Sequence, residues 1–125
     1  MTTPSSPARP VTVTVLPAVV NLVIYGGDHF MMRLTVSRPD GEPLDLAGSE
    51  PYAEIRRTPT DLEVAGAFTA LADGGSLLLY LDGKTTRLLP SNAMWDVNVM
   101  SEGRQVTLAR GTVSVTPGIT VRPDS

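Results

Sequence analysis

His29 is the only histidine in the chain, and Asp28 stands beside it. With serines scattered along the sequence, a Ser/His/Asp triad is arithmetically available: a hydroxyl nucleophile, an imidazole base and a carboxylate to orient the base. The arrangement speaks against it. No G-x-S-x-G elbow exposes a serine, and neighbours on a strand point to opposite faces, so Asp28 and His29 diverge. His29 reads as a solvent-facing strand residue. A zinc centre needs three or four N, S or O ligands, and one histidine with no cysteine is a poor start. Calcium could draw on Asp28, Asp40, Asp45, Asp73 and Asp82, but no D-x-D-x-D-G loop gathers them. Gly26-Gly27 and Gly74-Gly75 are not followed by helices, so neither reads as a phosphate loop. The expectation is a protein that is not an enzyme and takes no cofactor or metal.

The elements that would position these residues are short strands. A chain of 125 residues suits one domain. Its 42% hydrophobic and 18% charged content is that of a globular protein. Eleven glycines and eleven prolines interrupt it too often for long helices. Lys+Arg 10 against Asp+Glu 13 leaves a net charge of −3 with no basic block, which argues against nucleic acid as a partner. The cysteine count of zero leaves stability to packing and fits a reducing compartment. The apolar run Val11–Tyr25 is broken by Thr12, Thr14, Pro17 and Asn21 and lacks a basic start, so neither a signal peptide nor a membrane span is expected.

Alternation marks the strands. Phe30, Met32, Leu34 and Val36 fall on one face, with His29, Met31, Arg33, Thr35 and Ser37 on the other. Pro39-Asp40-Gly41 supplies a turn, and Leu44 and Leu46 bracket Asp45 before Gly48. Val11–Leu16 and Val19–Tyr25 read as strands separated by Pro17, the second with Val20, Leu22 and Ile24 inward. Tyr52–Arg57 turns Ala53 and Ile55 inward. Leu62–Ala70 reads as a strand with Leu62, Val64 and Phe68 on one face and a possible bulge at Gly66. Ala72–Gly75 reads as the most flexible loop, and Ser76–Leu81 as a strand apolar on both faces. Asp82–Pro90 is the one stretch that reads as a helical turn, capped by Asp82 and ended by Pro90. Ala93–Met100 alternates again, with Trp95, Val97 and Val99 inward and Trp95 read as core. In Arg104–Thr116 the apolar phase shifts from Val106 and Leu108 to Val113 and Val115, which predicts a bulge at Arg110-Gly111.

The sum is an all-β chain: a single antiparallel Ig-like β-sandwich of seven to eight strands over residues 11–118, with a tail over 119–125. Residues 1–10 form a Pro/Ser-rich extended segment, either a loose terminus or an arm that orders against a neighbouring subunit. Apolar side chains also fall on faces that should be wet: Met31, Leu78, Tyr80, Met94 and Met100. Such residues mark a protein–protein contact unless a second sheet covers them. With Arg9 and Pro10 of the arm they form the candidate interface.

The segment from Ile24 to Arg57 resembles a small β-sandwich that recurs in tailed bacteriophages. The shared pattern is Gly27-Asp28, the apolar strand Phe30–Val36, Asp40-Gly41-Glu42-Pro43, Leu44-Asp45-Leu46-Ala47-Gly48 and Ile55-Arg56-Arg57. A Leu-Leu-Pro turn at Leu88-Leu89-Pro90, an aromatic-bearing strand and a final Gly-x-Val-x-Val strand continue it, so that it spans Val20 to Val121. The pattern resembles the N-terminal domain of phage baseplate upper proteins, a family whose role is structural and trimeric. Unlike them, this sequence shows no following coiled coil or receptor-binding head. The resemblance implies a virion structural protein, assembled in the host cytoplasm, with other virion proteins and its own copies as partners, in a trimer if the family pattern holds. It favours a minor tail or baseplate subunit, with capsid decoration or a head–tail accessory role as the alternative. A host-surface or carbohydrate-binding module would need exposed aromatics, and aromatic content is 5%.

Overall fold

In a computed structural model, the described residues are 9–13, 17–37, 40–42, 44–46, 48–101 and 103–120. Most of the expected arm (residues 1–8), Pro39, Pro43 and the tail beyond residue 120 lie outside them. Among the described residues, ten strands and one short helix follow in order: β1 (Arg9–Val13), β2 (Ala18–Val19), β3 (Leu22–Tyr25), β4 (Phe30–Val36), β5 (Glu50–Arg56), β6 (Gly66–Ala67), β7 (Thr69–Asp73), β8 (Ser76–Leu81), α1 (Gly83–Leu88), β9 (Asn92–Ser101) and β10 (Arg104–Thr116). Two sheets form a sandwich. One runs β1-β4-β8-β7; the other runs β2-β10-β9-β5-β6, with β3 also on β10.

The count exceeds seven to eight because expected strands divide. The expected strand Val19–Tyr25 is split into β2, which starts one residue earlier, and β3, and the stretch beginning at Leu62 becomes β6 and β7, which belong to different sheets. Arg9 and Pro10 are the first two residues of β1, so the strand begins inside the expected arm. The pairing is not wholly antiparallel. β1 lies parallel to β4, and β2 and β3 lie parallel to β10.

The inner faces meet in one core. Met32, Leu34 and Val36 of β4 and Leu77, Leu79 and Leu81 of β8 face Ile55, Trp95, Val97 and Val113 of the other sheet, all buried. Phe68 lies between β6 and β7, where the chain changes sheets, and it bridges the layers. Its ring lies 6.3 Å from Phe30 and 5.7 Å from Trp95. Burying a side chain of this size contributes about 1.5–3 kcal/mol, enough to fix where the crossing occurs. Leu62 and Val64 were expected on the same inner face but are 94% and 40% exposed. No strand covers residues 61–65, so the alternation there has no pleat to act through.

The phase shift in β10 is real, but the bulge sits earlier than Arg110-Gly111. Thr107 pairs with Asn98 and Ala109 with Val97, so Leu108 is the extra residue, and Leu108 and Ala109 are both buried. Val106, expected inward, is 40% exposed beside the β9–β10 turn. Gly111 serves another purpose. A Cβ there would collide with the Val20 carbonyl oxygen and lie 2.7 Å from its carbon. That carbonyl turns away from the β10 ladder and accepts the Trp95 indole N–H at 2.8 Å. In the gap, Asn21 Oδ1 accepts the Thr112 N–H at 3.1 Å. Glycine here makes room for a backbone that leaves its sheet.

The expected helical turn is present. Asp82 is the N-cap of α1, its Oδ1 accepting the Thr85 N–H at 2.8 Å. Ala72–Gly75 is a tight hairpin: Asp73 pairs with Ser76, Gly74 has φ 62°, and the Gly74 and Gly75 carbonyls accept from Leu46 and Val36.

Candidate interaction surfaces

The candidate interface residues do not form one patch. Met31 on β4 and Leu78 and Tyr80 on β8 share the outer face of the first sheet, where Met31 pairs directly with Tyr80. Side chains directly opposite on one face lie about 4.5–5.5 Å apart at Cβ, so these three are neighbours. All three are half-buried, because β8 lies between β4 and β7. Leu71 on β7 pairs with Leu78 and is 59% exposed, extending the apolar strip. Among the described residues, no further sheet covers this face. Pro10 is exposed and pairs with Arg33 at the strip's edge; Arg9 pairs with Met32.

Met94 and Met100 lie on β9, in the opposite sheet. Their alternates Trp95, Val97 and Val99 are buried, so both methionines point to that sheet's outer face. Met94, but not Met100, lines a cleft of about 270 Å³ together with Glu54, Arg56, Asp96, Asn98 and Arg110 among others. The charges in it are cross-strand neighbours: Glu54 pairs with Asp96, and Asp96 with Arg110. Arg56 is held by Glu54 Oε1 at 2.9 Å and donates to the Asp61 carbonyl at 2.8 Å. Desolvation pushes the Asp96 carboxyl above its ordinary range, the Glu54 charge adds to this, and Arg56 opposes it. The cleft is a balanced polar surface with a methionine at its rim.

His29 precedes β4 and is exposed. Its Nδ1 lies 2.9 Å from the Tyr80 hydroxyl, with the two rings edge to face at 5.6 Å. The neighbouring Asp28 contributes its backbone, accepting the Thr86 hydroxyl at 2.8 Å. Among the described residues, no group of three His, Cys, Asp or Glu side chains is placed to hold a metal, and no helix is long and apolar enough to cross a membrane.

Sequence reasoning missed two features. Thr86, in α1, is fully buried. Its Oγ1 accepts the Gly27 N–H at 3.0 Å while lying 2.8 Å from the Asp28 carbonyl, so one hydroxyl locks the β3–β4 turn to the helix. The tertiary contact, 59 residues away, leaves no local signal. The second is a line of exposed apolar side chains on β2 and β3: Val19 at 67%, Val23 at 72% and Tyr25 at 48%. Their alternation was visible, but an expected core strand has a wet face, and here the wet face is apolar.

No protein-family model matches this sequence, and no curated protein does. Among solved structures, the chain is similar to the N-terminal domain of phage TP901-1 ORF48. The TM-score is 0.57 at 12% sequence identity, covering 86% of this chain and 97% of that one. At that identity the likeness is one of fold. The chain shares the β-sandwich of that phage domain across nearly the domain's whole length.

Proposed function

We propose that this chain is a structural subunit of a bacteriophage virion, a minor tail or baseplate protein that acts by docking to other virion proteins. The observation that carries the reading is the shared sandwich, which spans 97% of the N-terminal domain of a phage protein. The Gly27-Asp28 to Gly48 pattern, found independently in the residues, supports it. The mechanism is burial rather than chemistry. The outer face around Met31, Leu78, Tyr80 and Leu71 offers half-exposed apolar side chains on a rigid sheet, and such surfaces mark contacts with another protein.

Interrupting the gene in the encoding phage tests this directly. The reading expects defective particles, restored when the protein is supplied in trans. Wild-type particle yield, tail morphology and infectivity without the protein would defeat it. Electron microscopy of the defective particles separates a tail role from a capsid role: intact filled heads with incomplete tails place it in the tail.

A further inference from the structure

An aspartate followed by glycine can rearrange its own backbone. The glycine nitrogen attacks the protonated side-chain carboxyl, and the new C–N bond closes a five-membered succinimide. The carboxyl hydroxyl leaves as water with the amide proton. Water then adds at either ring carbonyl. Opening at the side-chain carbonyl restores aspartate; opening at the main-chain carbonyl leaves isoaspartate, whose main chain runs through Cγ. Glycine favours closure because no Cβ crowds the attacking nitrogen.

The chain holds three Asp-Gly pairs, Asp40-Gly41, Asp73-Gly74 and Asp82-Gly83, and the fold treats them differently. Asp82 commits its carboxyl to the cap of α1. Its Oδ1 accepts the Thr85 N–H at 2.8 Å, and that bond holds the carboxyl below its usual 3.8, away from the reactive acid form. Gly83 is also pressed against the Gly27 carbonyl. The Asp73 carboxylate reaches across β8 to Arg33 at 3.4 Å, and the Asp73 backbone is fixed by its pairing with Ser76.

Neither restraint operates at Asp40-Gly41. Asp40, Gly41 and Glu42 are all exposed, and a Cβ at Gly41, where φ is 91°, would meet nothing within 4 Å. Asp40 Oδ1 accepts the Glu42 N–H at 3.0 Å. A bond to the N–H two residues on folds a carboxyl back over the intervening peptide, which brings Asp40 Cγ toward the Gly41 nitrogen. Asp61 makes the same bond to the Glu63 N–H at 3.2 Å, but its next residue is Leu62. Among the described residues, Asp40 alone combines the folded-back carboxyl with a following glycine. We infer that Asp40-Gly41 is a site of spontaneous isoaspartate formation, the one Asp-Gly pair that the native fold leaves open to it. The product puts one extra carbon into the main chain of a loop that is pinned just beyond it. There the Leu44 N–H bonds the Val36 carbonyl at 2.8 Å and the Leu46 N–H bonds the Gly74 carbonyl at 2.9 Å. The inference does not depend on the virion reading.

Incubating the full chain in heavy-oxygen water, folded and in urea, tests it, because each passage through the succinimide leaves one heavy oxygen on a carboxyl. Fragmentation of the digested peptides assigns the label and the isoaspartate. In the folded chain both are expected at Asp40, with Asp61, Asp73 and Asp82 labelled more slowly by about tenfold or more. In urea Asp73 and Asp82 should catch up with Asp40 while Asp61 stays slow. Gly41→Ala should slow labelling at Asp40 by about tenfold. Circular dichroism checks that the variant is folded; if it is not, the unmodified chain decides alone. Three results would overturn the inference: Asp73 or Asp82 labelled as fast as Asp40 in the folded chain, Asp40 unlabelled over a period that labels it in urea, or a folded Gly41→Ala chain labelled at the unmodified rate.

Discussion

The Trp95 indole donates to the carbonyl oxygen of Val20 at 2.8 Å, directly over the residue, Gly111, that pairs with Trp95 across the β9–β10 ladder. The largest core side chain thus satisfies a backbone carbonyl that turns away from the β10 ladder. A buried carbonyl left without a partner costs about 1–3 kcal/mol. Trp95→Phe, which keeps most of the apolar volume but removes the donor, should lower unfolding free energy by that order in urea titration. An unchanged midpoint would show that the bond contributes nothing.

Gly111→Ala places a Cβ against the same backbone, where no flexible side chain can yield. Overpacking of this kind costs about 1–3 kcal/mol, occasionally more. The loss should appear as a lower denaturation midpoint with unchanged slope. Gly103→Ala, in the open hairpin turn at φ 75°, should cost less, since only conformational strain opposes it.

Thr86→Val removes the hydroxyl from a fully buried site without changing side-chain volume much, leaving the Gly27 N–H and Asp28 carbonyl without it. A destabilisation of about 1–3 kcal/mol is expected, with Thr86→Ser recovering most of it. Equal stability of the valine and serine variants would show that the methyl, not the hydroxyl, holds α1 in place.

Two carboxylates should give opposite pH signatures. The Thr85 backbone N–H, followed by the Thr85 hydroxyl, holds Asp82 below its usual 3.8. Its contribution is present above pH 3.8 and lost as pH falls through the depressed value. Asp82→Asn keeps a good cap and should match the wild type near pH 7 while losing that acid dependence. Asp96 is raised, chiefly by desolvation, so the native state holds its proton longer than the unfolded chain does. Stability therefore falls as pH rises from 3.8 through the raised value. Asp96→Asn should be more stable than wild type at pH 7, with the difference vanishing below pH 3.8. Urea midpoints across pH 3 to 8 check both signs.

Where side-chain period and local chemistry coincide, the fold was legible. Phe30–Val36 and Ala93–Met100 alternate over enough residues to declare both the strand and its inner face, and Asp82 with Pro90 frames α1. Long-range effects were not legible. Leu62, Val64 and Phe68 share a parity, yet only Phe68 reaches the core, because the chain crosses between sheets there and residues 61–65 form no strand. The β10 phase shift announced a bulge, but Gly111 drew it two residues too far; its true reason is the Val20 backbone, distant in sequence. The same limit applied to the surface. Met31, Leu78 and Tyr80 share a face with one another but not with Met94 and Met100, since only the tertiary fold decides which sheet each strand joins.

Quantitative mass spectrometry of gradient-purified particles of the encoding phage tests the virion reading most directly. The reading predicts this protein in the particles at a fixed ratio to the known tail proteins, unchanged by high-salt washing. Its absence from washed particles, with the protein left in the soluble lysate, would contradict it.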